Sequence, residues 1–244
     1  MSLPSERIRL NKFLVQAGVA ASRRQAEELI SNSKVKIVGA QDSVPNNQLM
    51  GYRVDPTQDK VYVHDKLIVW RPQKKVYLMM NKPRGYVCTR QDKFAQKTVF
   101  DLLPAKYKKT GLFTVGRLDK ESEGLLLLTN DGDWANKLMH PRYGKEKEYL
   151  VWVKGEISPE KFGRLTTGLT IDGKKYQMKR IETLGTGTSS KTKKYQVILA
   201  EGRKRQIRVM FEKIGGNVIR LQRIRVGEQQ LGDLPSGKVK EINI

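Results

Sequence analysis

The sequence contains one cysteine, Cys88, and two widely separated histidines, His64 and His140, in 244 residues. No disulfide can close within such a chain, and a structural zinc site has too few thiolate and imidazole ligands. No apolar run approaches the ~18 residues of a membrane span. The aliphatic stretch at residues 125–128 is only strand-sized. The beginning, MSLPSERIRL, lacks both an apolar signal core and an Arg- and Ser-rich amphipathic presequence, so a reducing cytoplasm is the expected compartment. Negative charge is also scarce. Lys plus Arg number 47 against 25 Asp plus Glu, a net charge of +22. That excess bears on partners rather than fold, and favours a polyanion such as RNA or DNA over an anionic membrane surface. With 38% hydrophobic residues, a chain this long can bury a core in one or two domains.

What is present divides in two. Leu10, Phe13 and Leu14 share one face of a short helix over residues 11–17, closed by Gly18. Ser22 and Gln25 form a capping-box pattern that opens a second helix through Ile30, with Ala26, Leu29 and Ile30 as its apolar face. Arg23 and Arg24 fall in its first turn. The helix dipole disfavours cations there, so they read either as a solvated face or as a docking point for an anionic partner. A strand at 35–38 follows, then a polar loop over 39–52, then a hairpin of residues 61–63 and 67–69. Residues 71–75, RPQKK, read as a linker. The expected division is 1–70, a linker at 71–75, and 76–244.

From Val76 onward strands dominate. Continuous apolar runs at 76–80 and 125–129 predict fully buried strands. Further strands are expected at 149–153, 195–200 and 218–226. Residues 98–103 read as a helical turn, and a helix is expected to end at Met139. Ser158 and Pro159 open another. Residues 185–194 read as a hairpin loop. Residues 204–214 predict a helix with Ile207, Phe211 and Ile214 on one stripe, stopped by Gly215-Gly216. Strands mixed irregularly with few helices give an α+β fold with a mainly antiparallel sheet.

Three stretches are placed to carry chemistry. Gly116-Arg117-Leu118-Asp119 sets a carboxylate between two strand-like runs, where scaffolds present reactive groups and where turn aspartates are also common. Asn81-Lys82-Pro83-Arg84-Gly85 follows a buried strand. It reads as a tight turn that either offers Lys82 and Arg84 to a phosphate or is a charged hairpin tip. Residues 201–211, EGRKRQIRVMF, lead a Gly turn into a helix bearing Arg203, Lys204, Arg205 and Arg208. That face is solvated, or Arg208, at the border of the apolar stripe, is half buried and needs a carboxylate such as Asp119. Tyr149, in KEKEYLVWV, is a core residue or a platform for an unstacked base.

GRLD, then GLLLLTNDG, KEY and EGRKRQIRVMF, in this order and spacing, strongly resemble the pseudouridine synthases of the RsuA/RluB branch. NKPRG matches that family's first motif. Residues 8–69 resemble the S-four-like (αL) RNA-binding module that precedes the catalytic domain in many members. The closing stretch LQRIRVGEQQLGDLPSGKVKEI looks closest to members acting on large-subunit ribosomal RNA. Two departures stand out: the loop at 39–52 replaces a short turn, and the long polar tail of some members does not follow Ile244.

The resemblance implies a small helix-helix-strand RNA-binding module joined to a larger pseudouridine synthase domain. It implies isomerisation of uridine to pseudouridine in ribosomal RNA, free or in a ribosomal subunit precursor, by a cytoplasmic monomer with no cofactor or metal. Asp119 would be the catalytic carboxylate. Tyr149 would stack on the uracil, with Ile207 below it. Arg208 would keep Asp119 ionised and oriented, and Arg117 would fill or guard the space the base vacates. Lys82, Arg203, Arg205, Arg23 and Arg24 would contact the RNA. The alternatives are a small-subunit enzyme, a non-catalytic RNA-binding or ribosome-assembly factor on the same fold, and a DNA-binding protein. The last finds no recognition helix with a dimer pattern.

Overall fold

The computed structural model describes residues 7–20, 22–39, 43–70, 74–90, 97–108, 110–186 and 192–244. The chain forms two compact units, Met1–Lys74 and Lys75–Ile244. Of the expected linker, residues 71–73 lie outside the described residues.

The first unit comprises β1 (Ile8–Arg9), α1 (Leu10–Gln16), α2 (Arg23–Ser31), β2 (Val35–Val38), β3 (Arg53–Val54), β4 (Lys60–Val63) and β5 (Lys66–Leu67). The Ser22 hydroxyl caps α2, accepting from the Gln25 amide at 3.2 Å. The helices bury Leu10, Phe13, Leu14, Ala26 and Ile30 against Val35, Ile37, Val61 and Val63. β2, β4 and β5 form an antiparallel sheet. The hairpin turn is two residues long rather than three, because Val63 pairs with Lys66. His64 and Asp65 both take positive φ, the turn geometry that matches strand twist. The loop at 39–52, of which 40–42 lie outside the described residues, is more than a solvated connection. A 3-10 turn at Asn46–Gln48 delivers Leu49 into the core. β1 and β3, both too short for a periodicity signal, pair with each other.

The second unit comprises β6 (Tyr77–Lys82), β7 (Phe113–Val115), β8 (Glu123–Thr129), α3 (Gly132–Met139), β9 (Lys147–Lys154), α4 (Pro159–Thr167), β10 (Leu169–Ile171), β11 (Lys174–Tyr176), β12 (Arg180–Thr186), β13 (Thr192–Leu199), α5 (Gln206–Lys213), β14 (Asn217–Val226), β15 (Gln229–Gln230) and β16 (Val239–Glu241). Among the described residues its main sheet has nine strands, seven of them in the order β12-β13-β9-β14-β8-β6-β16, with β7 on β8 and β15 on β14. Every pair is antiparallel except β14 with β8. β10 and β11 form a separate hairpin.

The run at 125–128 is apolar throughout because β8 is covered on both faces. Leu126 and Leu128 join the larger core, and Leu125 and Leu127 pack with Met79, Val115, Ala135 and Leu138. At the junction of β8 with β14, Gly124 has φ +99°, and a Cβ there would lie 2.2 Å from the Arg223 carbonyl oxygen. Only glycine permits that approach. The expected helix at 204–214 begins at Gln206, because Arg205 takes φ +54° and breaks the helical path before it. It buries Ile207, Met210 and Phe211. β12 and β13 pair as the expected hairpin, and residues 187–191 of its loop lie outside the described residues.

Candidate active site

β7 and β8 form a hairpin whose connection, residues 116–122, carries the carboxylate. Gly116 takes φ +74°, which turns the chain out of β7. Leu118 is buried and anchors the loop. Its amide donates to Cys88 Sγ, and that thiol donates back to the Leu118 carbonyl, both at 3.4 Å. On the other side of Asp119, the Lys120 carbonyl accepts from the Gly85 amide at 2.8 Å. The Ser122 amide closes the turn onto the Asp119 carbonyl at 3.0 Å. Asp119 is thus held through both neighbours. Its own carboxylate, half exposed, has no hydrogen bond or ion pair among the described residues.

Lys82 is corrected by the structure. It was expected to face a phosphate, but it is fully buried. Its ammonium donates to the carbonyls of Pro83, Lys120 and Ser122 at 3.0, 3.3 and 2.7 Å. Burial lowers its pKa, against the influence of Cys88, Asp119, Glu121 and Glu123. The NKPRG turn therefore clasps the Asp119 loop from beneath. Arg84, its other expected phosphate contact, lies 3.8 Å from Glu121.

Asp119 opens onto a cleft of about 560 Å³ lined also by Arg117, Tyr149, Arg203, Arg205 and Ile207. That volume lies within the ~300–1,000 Å³ of ligand pockets. Tyr149 and Ile207 are buried in the walls, and Arg117, Arg203 and Arg205 are exposed. Arg203 is committed within the fold. It pairs with Glu201 at 3.0 Å, donates to the Lys175 carbonyl at 2.8 Å and lies over the Tyr176 ring. Arg205 has no such tie among the described residues.

Arg208 is half buried, as expected, but it makes no ion pair with Asp119. Its Nη1 donates to the Val218 carbonyl at 2.7 Å, and α5 directs it towards β14. Nε and Nη2 are buried without a partner. Burial lowers its pKa, and the charge of Asp119 opposes that shift across the intervening space. The two groups feel each other without touching. Arg23 and Arg24 are exposed in the first turn of α2, in the other unit.

Four lining residues escaped the sequence reading. Lys147 and Arg223 project into the cleft from β9 and β14. Glu201 and Gln206 hold the loop before α5: Gln206 accepts from the Arg203 amide at 3.2 Å and donates to Glu201 at 2.8 Å. The signal for Lys147 was its place two residues before Tyr149, on the same face of a strand. Among the described residues no group of three or more His, Cys, Asp or Glu is gathered as a metal site, and no helix is long and apolar enough to cross a membrane.

Comparison with known proteins adds five findings. Residues 76–213 match the family described as RNA pseudouridylate synthase, and residues 8–37 match the S4 domain. The chain is 37% identical over 234 residues to "Ribosomal large subunit pseudouridine synthase B" of Bacillus subtilis (strain 168), covering 96% of this chain and 91% of that one. It is 36% identical over 241 residues to the protein of the same name from Vibrio vulnificus (strain CMCP6), covering 97% and 72%. A solved structure titled "Crystal structure of pseudouridylate synthase" is similar at a TM-score of 0.63 and 27% identity, covering 97% of this chain and 96% of that one.

Proposed function

The chain belongs to the RNA pseudouridylate synthase family, and from that premise we propose that it converts uridine to pseudouridine in large-subunit ribosomal RNA, with Asp119 as the catalytic carboxylate. The names of its relatives from Bacillus subtilis and Vibrio vulnificus support that substrate. Residues 1–70 dock RNA and residues 76–244 carry out the reaction. The enzyme acts as a cytoplasmic monomer on ribosomal RNA or a subunit precursor.

One observation carries the reading: a carboxylate with no partner of its own among the described residues, fixed through both neighbours, at the wall of a cleft lined by cations and a tyrosine. The reaction breaks the C1′–N1 bond and makes C1′–C5, with no net gain or loss of atoms. One carboxylate suffices, either bonding to C1′ or taking a proton from the sugar. The target nucleotide leaves its stack and enters the cleft. Tyr149 meets the ring, Ile207 packs beneath it, and Arg117 occupies the vacated space. Arg205 meets a backbone phosphate at the rim, and Arg203, held by Glu201 and the Lys175 carbonyl, braces the wall beside it. Arg208 supplies a fixed positive charge behind Asp119, in a setting that strengthens it by excluding water.

The test is a map of pseudouridines in large-subunit ribosomal RNA from a strain lacking the gene, before and after incubation with purified enzyme. One or a few sites should be missing and then restored. A complete map without the gene would overturn the assignment.

A further inference from the structure

Arg223 is the most deeply buried cation lining the cleft, at 3% exposure. Only its Nε is committed, donating to the Leu125 carbonyl at 2.8 Å. Nη2 is buried with no partner, and no described residue accepts from Nη1. Arg223 lies directly across β14 and β9 from Tyr149, so the two share a face of the sheet. Lys147 lies two residues before Tyr149 on that same face. Its ammonium makes only a long 3.4 Å contact, to the Lys145 carbonyl, and its stem lies against Gly202. Burial lowers its pKa, Arg223 lowers it further, and Glu201 opposes. Glu201, among the described residues the one carboxylate lining the cleft besides Asp119, is already engaged by Arg203 and Gln206. Two like charges, Arg223 buried and Lys147 partly buried, are therefore held near each other without a neutralising partner among the described residues. That arrangement is costly unless an anion arrives to meet it.

We propose that Arg223 and Lys147 form the seat for the departing base, stabilising the uracilate anion through its carbonyl oxygens. The inference rests on the cleft being the uridine site. When C1′–N1 breaks, the bonding electron pair goes to N1 and spreads onto O2 and O4. Asp119 meets the deficit on the sugar. The base then turns, C5 bonds to C1′, and the C5 proton is lost as N1 gains one. The negative charge on the base exists only between these steps, so cations aimed at it lower the barrier rather than tighten ground-state binding. A base is favoured over a phosphate by position. Arg223 and Lys147 share a sheet face with the buried Tyr149 and are themselves buried and partly buried, whereas Arg117 and Arg205 are exposed, where a backbone would run.

The experiment compares two RNA substrates of one sequence, with uridine or 5-fluorouridine at the target position. Single-turnover consumption of the starting nucleoside is measured for wild type, Arg223→Gln, Arg223→Lys and Lys147→Gln, with RNA affinity alongside. 5-Fluorouracil is a weaker base and leaves with less help. Arg223→Gln should slow the uridine substrate about 100-fold, with affinity unchanged, and should slow the fluorinated one at least tenfold less. Arg223→Lys should recover part of the rate. Should Arg223→Gln fail to fold, Lys147→Gln carries the same comparison. Equal losses on both substrates, or a loss explained by weaker RNA binding, would overturn the proposal. Wild-type enzyme inactive on the uridine RNA would instead overturn the proposed function on which this inference rests.

Discussion

The Lys82 ammonium lies 2.7 Å from the carbonyl oxygen of Ser122, which ties the end of the Asp119 loop to the strand beneath it. A buried lysine that spends its donors on backbone carbonyls is a structural part, even beside a reacting carboxylate. Lys82→Met takes this donor from the Pro83 and Ser122 carbonyls, while the Lys120 carbonyl keeps the Gly85 amide, and each buried group left unsatisfied costs about 1–3 kcal/mol. The variant should unfold at lower urea concentration and turn over more slowly, with RNA affinity kept. A variant equal to wild type in both respects would show that the loop holds without the clasp.

Arg208 should matter through its charge and its one hydrogen bond. Arg208→Ala removes the cation behind Asp119 and should slow single turnover by about 100-fold or more. Loss of the bond to the Val218 carbonyl should also cost about 1 kcal/mol of stability. Arg208→Lys keeps the charge without the planar fork, so recovery should be partial. Turnover within threefold of wild type for the alanine variant would remove Arg208 from the mechanism.

Asp131 gives a pH signature away from the cleft. Burial alone would raise its pKa. Hydrogen bonds from Lys75, Tyr77 and the Trp134 and Asp133 amides outweigh burial and hold it at about 2. A depressed carboxylate stabilises the fold above its unfolded pKa, and that contribution fades as pH falls through ~4 towards the folded value. A shift of this size corresponds to about 2 kcal/mol. Asp131→Asn should lose that much stability at neutral pH and converge on wild type in acid. A difference that stays constant down to the acid limit would show that the carboxylate's charge contributes nothing.

The exposed Arg23 and Arg24 should act in docking. Neutralising both to Gln should weaken RNA binding and flatten its salt dependence by about one log–log unit per lost phosphate contact. Turnover at saturating RNA should stay the same. Slower turnover with an unchanged salt slope would place these residues in the chemistry instead.

How much was legible in the sequence followed from periodicity and from local chemistry. The runs at 76–80 and 125–129 announced β6 and β8 because strands covered on both faces need apolar residues throughout. The stripe Ile207–Phe211–Ile214 announced α5. Asp119, Tyr149 and Ile207 were each seen as candidates, and the fold brings all three to one cleft. Lys82 was misplaced because composition cannot tell a lysine aimed at solvent from one folded back onto carbonyls 38 and 40 residues away. Arg223 and Lys147 were missed because their meeting depends on the register of β14 against β9. Arg208 and Asp119 were expected in contact, but the Val218 carbonyl competes for the guanidinium.

The most direct test of the whole account is single-turnover pseudouridine formation by Asp119→Asn on target RNA, with RNA affinity measured in parallel. A single carboxylate performs the chemistry on the sugar, while phosphate contacts by other residues dominate binding. The variant should bind RNA as wild type does and form no detectable pseudouridine. Activity within tenfold of wild type would contradict the assignment of Asp119, and with it the reading of the cleft.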